Sequence, residues 1–322
     1  MNIQSLAVFF AIQILLSVCT IAGAQDYPNR AVKVIVPFAA GTGADTTARF
    51  LSQQLGERLK QSFVVENRSG AGAAIGVAAL KRSTPDGYTI GQLVSANVVQ
   101  PWLVKEMSFD VRKDFIPLAM MYSGPMVMTA GPLFTPRDIP EVIAYAKNNP
   151  GKVSVGSIGT GSSTHLAAEL LKQLAGIDII NVPFKSAVEM HRAVSVGDVS
   201  FSFDSYGSPR PLVEAGRLRV IAVTTSERLS ILPRVPSISE TYPSFNMASW
   251  VALGAPLGTP QDIVDTLVRE IRAVMQTPDW RQILSNNGVE ASLMTPSALA
   301  QRIAGDYEKL GQIVKAAGIK PE

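Results

Sequence analysis

Hydrophobic and polar positions along the chain follow two periods in turn. The β-branched runs Val32-Lys33-Val34-Ile35-Val36 and Phe63-Val64-Val65-Glu66, with residues 88–94, have the length and composition of strands. Between the first two, Ala48, Leu51, Leu55 and Leu59 recur at spacings of three and four, the stripe of a helix packed on a sheet. A small-residue helix is expected after Asn67-Arg68-Ser69-Gly70-Ala71-Gly72, and Pro85-Asp86-Gly87 is a turn. A second unit starts with a strand near Met126. Thr135-Pro136-Arg137-Asp138 then reads as a capping box with proline at the first helical position, ahead of Ile139, Val142, Ile143 and Ala146. Pro150-Gly151 ends that helix, Val153-Ser154-Val155 is a strand, and the next helix carries Leu166, Leu170, Leu171 and Leu174. Strands are expected at residues 179–182, 199–203 and 219–223, before a proline-punctuated connection over residues 233–243. Beyond it, residues 250–253 read as a strand. Thr259-Pro260-Gln261-Asp262 opens a helix with Ile263, Leu267, Ile271 and Val274 on one face, and Thr295-Pro296 opens a last one with Leu299, Ile303 and Tyr307.

This alternation predicts an α/β architecture with mostly parallel sheets. The helical tail has few partners of its own and is expected to pack back on the first unit. The outcome is a discontinuous first lobe, residues 25–125 and 249–322, an inserted second lobe, residues 126–248, and a cleft between them.

Two strand-to-helix junctions carry the candidate chemistry: Pro37-Phe38-Ala39-Ala40-Gly41-Thr42-Gly43-Ala44-Asp45 and Ser157-Ile158-Gly159-Thr160-Gly161-Ser162-Ser163-Thr164-His165. A glycine-rich turn before a helix leaves first-turn N–H groups unpaired at the positive end of the helix dipole, which suits an anion without any lysine or arginine. The candidate ligand residues are therefore Phe38, Ala39, Gly41, Thr42, Gly43 and Asp45 in the first loop, and Ser157, Gly159, Thr160, Gly161, Ser162 and Ser163 in the second. Asp204 ends the strand over residues 199–203 at a sheet's carboxyl edge, where α/β clefts bind ligands, and Ser95 is a further candidate, for selectivity. Asp45 caps its helix, pairs with Arg49 one turn on, or meets a cationic ligand group. Asp204 either accepts from a ligand or is tied to backbone. His165 is read as packing beside its loop rather than donating to an anion, and His191 as part of a solvated helix face. Phe38, Phe184 and Trp250 are read as core, and Lys185 as surface.

Composition narrows the function. The first 24 residues carry no charged side chain, and an apolar stretch over residues 6–21 precedes Ala22-Gly23-Ala24, which reads as a secretory signal peptide cleaved after Ala24. A membrane anchor is the alternative, but Gln13 and Ser17 interrupt the run; lipidation at Cys19 is another, with Val18 poorly suited before it. Cys19 is the only cysteine, so no disulfide is expected. A net charge of +3 without a basic cluster argues against nucleic acid. With two histidines, a metal site or a histidine-based triad has little to draw on, and neither is expected. Thr46 breaks a dinucleotide fingerprint, Val153 after Gly151-Lys152 excludes a Walker A loop, and no Gly-x-Ser-x-Gly elbow occurs. No catalytic residue and no cofactor are expected. A secreted hydrolase using Ser162 or Ser163 is the enzymatic alternative, and it lacks a base.

A series of short motifs adds a family resemblance. Ile35-Val36-Pro37-Phe38 with the following glycine-rich loop and Asp45, Val65-Glu66-Asn67-Arg68-Ser69-Gly70-Ala71-Gly72, Pro85-Asp86-Gly87-Tyr88-Thr89, Asp114-Phe115-Ile116-Pro117 and Asn149-Pro150-Gly151-Lys152 occur in order. Gly159-Thr160-Gly161-Ser162 with His165-Leu166, Val182-Pro183-Phe184-Lys185, Ala222-Val223-Thr224-Thr225, Leu232-Pro233 and Ala255-Pro256-Leu257-Gly258-Thr259-Pro260 follow. Over residues 27–322 the chain resembles the Bug-type extracytoplasmic solute receptors, the substrate-binding component of tripartite tricarboxylate transporters. The resemblance implies a two-lobed, type II-like periplasmic binding fold that closes on a small organic carboxylate. It places the grip on residues 38–45 and 157–164 with Asp204 beside them, through backbone groups, hydroxyls and ordered water. It implies a periplasmic monomer that delivers its ligand to membrane permease subunits; docking of the loaded receptor on a signalling protein is the alternative. Dicarboxylates, tricarboxylates, acidic amino acids and aromatic acids all stay open. Asn181, Phe184 and Ser186 stand where the family has histidine, tyrosine and glycine, Ala73 and Ala74 where it has glycine and asparagine, and Ala39-Ala40-Gly41-Thr42-Gly43 where Pro-Pro-Gly-Gly is frequent. Four charge-assisted bonds to a carboxylate give a gross ~6–12 kcal/mol against an association cost of ~4–15 kcal/mol. Selectivity is accordingly assigned to side chains such as Thr42, Ser95 and Asp204.

Overall fold

Strand β1 (Val32–Val36) runs from residues with branched side chains straight into the first glycine-rich loop. The computed structural model describes residues 27–159, 162–229, 231–286, 289–319 and 321. The expected signal peptide and Cys19 lie outside them, as do Thr160 and Gly161. Helix α1 (Gly43–Leu59) buries Ala48, Leu51 and Leu55 against the sheet. Strands β2 (Phe63–Asn67) and β3 (Thr89–Val94) flank β1 in parallel, with α2 (Ala74–Lys81) between them in sequence and the short α3 (Ser95–Val99) after β3.

The next strand, β4 (Phe115–Ala130), is 16 residues long. After it come α4 (Ile139–Asn148), β5 (Ser154–Ser157), α5 (Ser163–Ala175), β6 (Ile180–Pro183), α6 (Ala187–Val196), β7 (Phe201–Ser205), α7 (Arg210–Glu214) and β8 (Arg219–Val223). The chain returns through β9 (Ala248–Pro256) and finishes with α8 (Gln261–Met275), α9 (Pro278–Asn286), the two-residue β10 (Glu290–Ala291) and α10 (Pro296–Ala316). The strand order is β2-β1-β3-β9-β4-β7-β5-β6, with β8 and β10 also on β4.

Strand β4 joins two sheets. Its first part pairs antiparallel with β9 as far as Pro125 opposite Ala248, and from Met126 opposite Ser205 it pairs antiparallel with β7, and with β8 on its other side. Proline has no N–H to give a ladder, so Pro125 stands where the strand exchanges one partner for the next. The sheets are mixed rather than mostly parallel: β1 to β3 and β5 to β7 are parallel sets, while β4 and β9 run against their neighbours. Pro117, Gly124 and Pro125 hid the first half of β4 from the sequence pattern, so the strand expected near Met126 is the second half of a longer one. Register shifts after Pro117 and after Met120 accommodate the irregularity.

Two helix starts also differ from expectation. Asp138, not Thr135, caps α4 by accepting from Glu141 N, and Pro140 rather than Pro136 occupies the first turn. Thr259 donates to Pro256 O instead of capping, and α8 begins after Pro260 without a side-chain cap. Thr295 does cap α10. That last helix lies across both lobes: Leu299 and Ile303 pack with Phe109, Phe115 and Trp250, whereas Leu310, Ile313 and Val314 join the core of Leu166, Leu170 and Phe245.

Candidate functional site

The two loops close by the same hydrogen bonds. In the first, Thr42 N donates to Ala39 O at 3.4 Å, Thr42 Oγ1 donates to the same carbonyl at 2.9 Å, and Asp45 N returns to Thr42 Oγ1 at 3.3 Å. In the second, Ser162 N donates to Gly159 O at 3.2 Å, Ser162 Oγ donates to it at 2.7 Å, and His165 N returns to Ser162 Oγ at 3.2 Å. Each hydroxyl caps its helix, and the first i→i−4 bonds start at Thr46 N and Leu166 N. The amides of Gly43 and Ala44, and of Ser163 and Thr164, precede those bonds and have no intrahelical acceptor. Both helices are long enough for the dipole to add positive potential at these amides. Gly41, inside the first turn, takes φ +84°, and Gly159, whose carbonyl opens the second, takes φ +100°, both conformations that favour glycine.

Asp45 organises the first loop from behind. It is 2 % exposed. Oδ2 accepts from Gly41 N and from Arg49 Nε, both at 2.9 Å, and Oδ1 accepts from Asn67 Nδ2 at 2.8 Å. Asn67 Nδ2 also reaches Phe38 O at 3.0 Å, and Arg49 Nη2 reaches Asn67 Oδ1 at 2.9 Å. Burial pulls the Asp45 carboxyl upward, but the bonds from Arg49, Gly41 and Asn67, with the Arg49 charge, hold it below the ordinary carboxylate value. Both oxygens thus have protein partners, the intrahelical reading of the sequence rather than the ligand one. Phe38 is half-buried and residues 39–43 are exposed.

A third loop borders the first. Gln100 Nε2 holds Ala71 O at 3.1 Å and Gly72 O at 2.9 Å, and Asn97 Nδ2 holds Gln100 Oε1 at 3.0 Å. Ala71 and Ala73 take φ of +47° and +77°, so the alanine that replaces a family glycine at 73 still adopts the left-handed conformation. Sequence reasoning missed Asn97 and Gln100, whose role depends on a contact nearly thirty residues away. Ser95 Oγ accepts weakly from Trp250 N, at 3.4 Å, which ties the end of β3 to β9.

In the second lobe Ser157 is fully buried and its hydroxyl has no partner among the described residues, while Ile158 N donates to Thr164 Oγ1 at 3.0 Å. Asp204 accepts from Ser205 N at 2.8 Å through Oδ1, and its Oδ2 lies 3.2 Å from His191 Nε2 without hydrogen-bond alignment. His191 is 3 % exposed, so the solvated-face reading was wrong: α6 turns this residue inward against β7. Replacing His191 by alanine removes the imidazole 3.2 Å from Asp204 Oδ2 and opens a cavity at a buried position, and a loss of about 2 kcal/mol is expected. A denaturation midpoint unchanged from wild type would refute that. His165 is buried beside its loop, 3.6 Å from Glu169, whose carboxyl is pulled up by burial but held below its ordinary value by His165 and Lys172. Trp250 is core, Phe184 is half-buried and Lys185 is exposed. Among the described residues no group of three or more His, Cys, Asp or Glu could hold a metal, and no helix is long and apolar enough to cross a membrane.

Two α/β lobes joined by strands that pass from one sheet to the other, with a capped helix start in each lobe, define a two-lobed solute-binding protein. Residues 47–319 match the family described as the tripartite tricarboxylate transporter family receptor, and the chain belongs to that family. It is 30% identical over 302 residues to protein BugT of Bordetella pertussis, covering 92% of each chain. Among solved structures, R. palustris Rpa4515 with adipate is 31% identical, with a TM-score of 0.82 over 92% of this chain and 100% of that one. MatC (Rpa3494) from Rhodopseudomonas palustris with bound malate is 28% identical, with a TM-score of 0.77 over 89% and 100% of the two chains.

Proposed function

We propose that this chain is a periplasmic receptor that captures a small organic carboxylate between its lobes and presents it to the membrane subunits of a tripartite tricarboxylate-type transporter. The observation that carries this reading is the pair of identically capped helix starts, one on each side of the point where β4 changes sheets. A carboxylate accepts bonds from such amides, and closure about β4 and β9 brings the second set to a ligand held by the first. The adipate and malate carried by the two Rhodopseudomonas relatives favour aliphatic dicarboxylates within the classes left open by the sequence.

The candidate contacts are Phe38, Ala39, Gly41, Thr42 and Gly43 with Ser157, Gly159, Thr160, Gly161, Ser162 and Ser163, flanked by Ser95. Asp45 and Asp204 act as positioning residues. Lobe boundaries near 125/126 and 248/249, export by residues 1–24 and a monomeric state belong to the same reading. So does the absence of enzymatic activity: Ser162 Oγ donates to Gly159 O and lies 2.8 Å from Thr164 Oγ1, in its role as a helix cap.

A thermal-shift panel tests the reading. Ligand at a hundred times its Kd adds about 2.7 kcal/mol, so a midpoint rise of several degrees is expected with one carboxylate class and none with uncharged analogues. A flat panel from verified folded, ligand-stripped protein would sink it.

A further inference from the structure

A recess lies between the lobes beside the returning strand. Ser95 lines it from the first lobe, Ser163 from the second, Asn246 and Met247 from the segment entering β9, and Arg302 and Lys309 from α10. Helix α10 crosses both cores, so its cations stand where the lobes meet. The recess also contains Asp306, but that carboxylate is already satisfied: Arg302 Nε reaches both of its oxygens at 2.9 Å, and Trp250 Nε1 donates to Oδ2 at 2.8 Å. Arg302 and Asp306 cancel in charge, which leaves Lys309 as the uncompensated cation.

Lys309 is half-buried and its Nζ donates to Asn246 O, a neutral acceptor. An ammonium has three donors, so two are left for a ligand. The grip loops offer no comparable charge. Residues 37–45 and 157–165 contain neither lysine nor arginine, and Arg49 behind the first loop is engaged by Asp45 and Asn67. A monocarboxylate is served by neutral amides alone, whereas a second carboxylate enclosed by two lobes needs a counter-charge or an extensive set of donors.

We infer that Lys309 is a specificity-determining residue: the recess at α10 receives the second carboxylate of a dicarboxylate ligand, with Lys309 as its counter-charge and Ser95 and Ser163 as neutral donors on either side. The inference rests on the receptor reading above and adds to it the place and the counter-charge of the ligand's second carboxylate. Burial lowers the Lys309 pKa, with Arg302 acting in the same direction and Asp306 against it, so an anion in the recess also relieves the lysine's own environment.

Isothermal titration of the purified chain with adipate, malate and hexanoate tests this. Adipate and hexanoate share a carbon count and differ by one carboxylate. One charge-assisted contact is worth about tenfold or more in affinity, so wild-type protein is expected to prefer adipate to hexanoate by at least that factor. Lys309→Met should abolish the preference while hexanoate binding stays within about twofold, and Lys309→Arg should retain it. A purely structural strut would weaken all three ligands alike, and that outcome overturns the assignment while the receptor reading stands. Wild-type protein that binds none of the three overturns the dicarboxylate assignment, while the receptor reading is overturned only by a flat response to the wider carboxylate panel. Should Lys309→Met fail to fold, the wild-type salt dependence decides: the adipate preference must shrink as salt rises, and a preference indifferent to salt refutes a charge contact in this half-buried site.

Discussion

Replacing Asp45 by alanine is expected to cost about 3 kcal/mol of stability and to weaken ligand binding about a hundredfold, because three donors lose their acceptor at once. Gly41 N, Arg49 Nε and Asn67 Nδ2 all converge on this carboxylate, and Asn67 in turn holds Phe38 O. Arg49 is 52% exposed, so its share is discounted for solvent screening and most of the loss falls on the two bonds that fix the loop. Without them the amides of Gly43 and Ala44 are no longer preorganised for an anion, and ordering the loop is charged against binding. Asp45→Asn turns an NH2 either toward Asn67 Nδ2 or toward both Gly41 N and Arg49 Nε, and should be nearly as harmful. The depressed carboxyl of Asp45 sets the sign of the pH effect. Its contribution is fully present above the unfolded-state pKa of ~4 and is lost as pH falls through the lower folded value, so wild type should lose more stability on acidification than Asp45→Ala, which keeps the depressed carboxyls of Glu66, Asp110 and Glu169. An alanine variant with wild-type affinity would show that the carboxylate does not hold the loop.

The second large effect is expected at Gly76, in α2. A Cβ there would stand 2.8 Å from Pro37 Cβ, 2.9 Å from Pro37 Cα and 2.9 Å from Arg68 O. Helix propensity alone favours alanine over glycine by about 1 kcal/mol. The clash opposes it with a larger magnitude, about 3 kcal/mol, because Pro37 and the Arg68 carbonyl are main-chain features that cannot rotate away. Arg68 N is itself fixed to Val36 O at 2.8 Å, so relief requires α2 to move off the end of β1, where the first grip loop begins. Gly76→Ala should therefore lower the melting midpoint and weaken ligand binding together. A raised midpoint would mean that propensity prevails and the close approach is relaxed in solution.

Local pattern made the elements legible. The bounds of β1 and β8 coincide with the runs expected from branched residues, and the stripes on α1, α5, α8 and α10 point inward as spaced. Two kinds of information were hidden. Strand β4 was divided because Pro117 is tolerated at a register shift against β9 and Pro125 where β7 takes over from β9, conditions set by the neighbouring strands rather than by β4 itself. Helix α9 went unread because Trp280, fully buried against the first-lobe core, is one of few apolar positions in a short polar segment.

The grip loops show the same division more finely. Both contain Gly-Thr-Gly, and a sequence match aligns Gly41 with Gly159. The hydrogen bonds align them differently: Thr42 corresponds to Ser162 and Ala39 to Gly159, so the shared tripeptide is out of step by two residues. A cap is defined by the hydroxyl that meets the N–H three residues on, and that depends on where the helix starts.

By itself the sequence determined the α/β class, most helices and strands, the two anion-suited turns and the family, because each follows from local propensity, periodicity or ordered motifs. Tertiary structure alone decided that Asp45 and Asp204 are held by the protein, that His191 is buried, and that Arg302 and Lys309 reach the meeting of the lobes. Those outcomes depend on which distant segments are brought within a few ångströms: Asn67 to Asp45, α6 to β7, and α10 across both cores. Charge and hydrogen bonding act at contact range, and no spacing along the chain encodes which contacts a long-range fold will make.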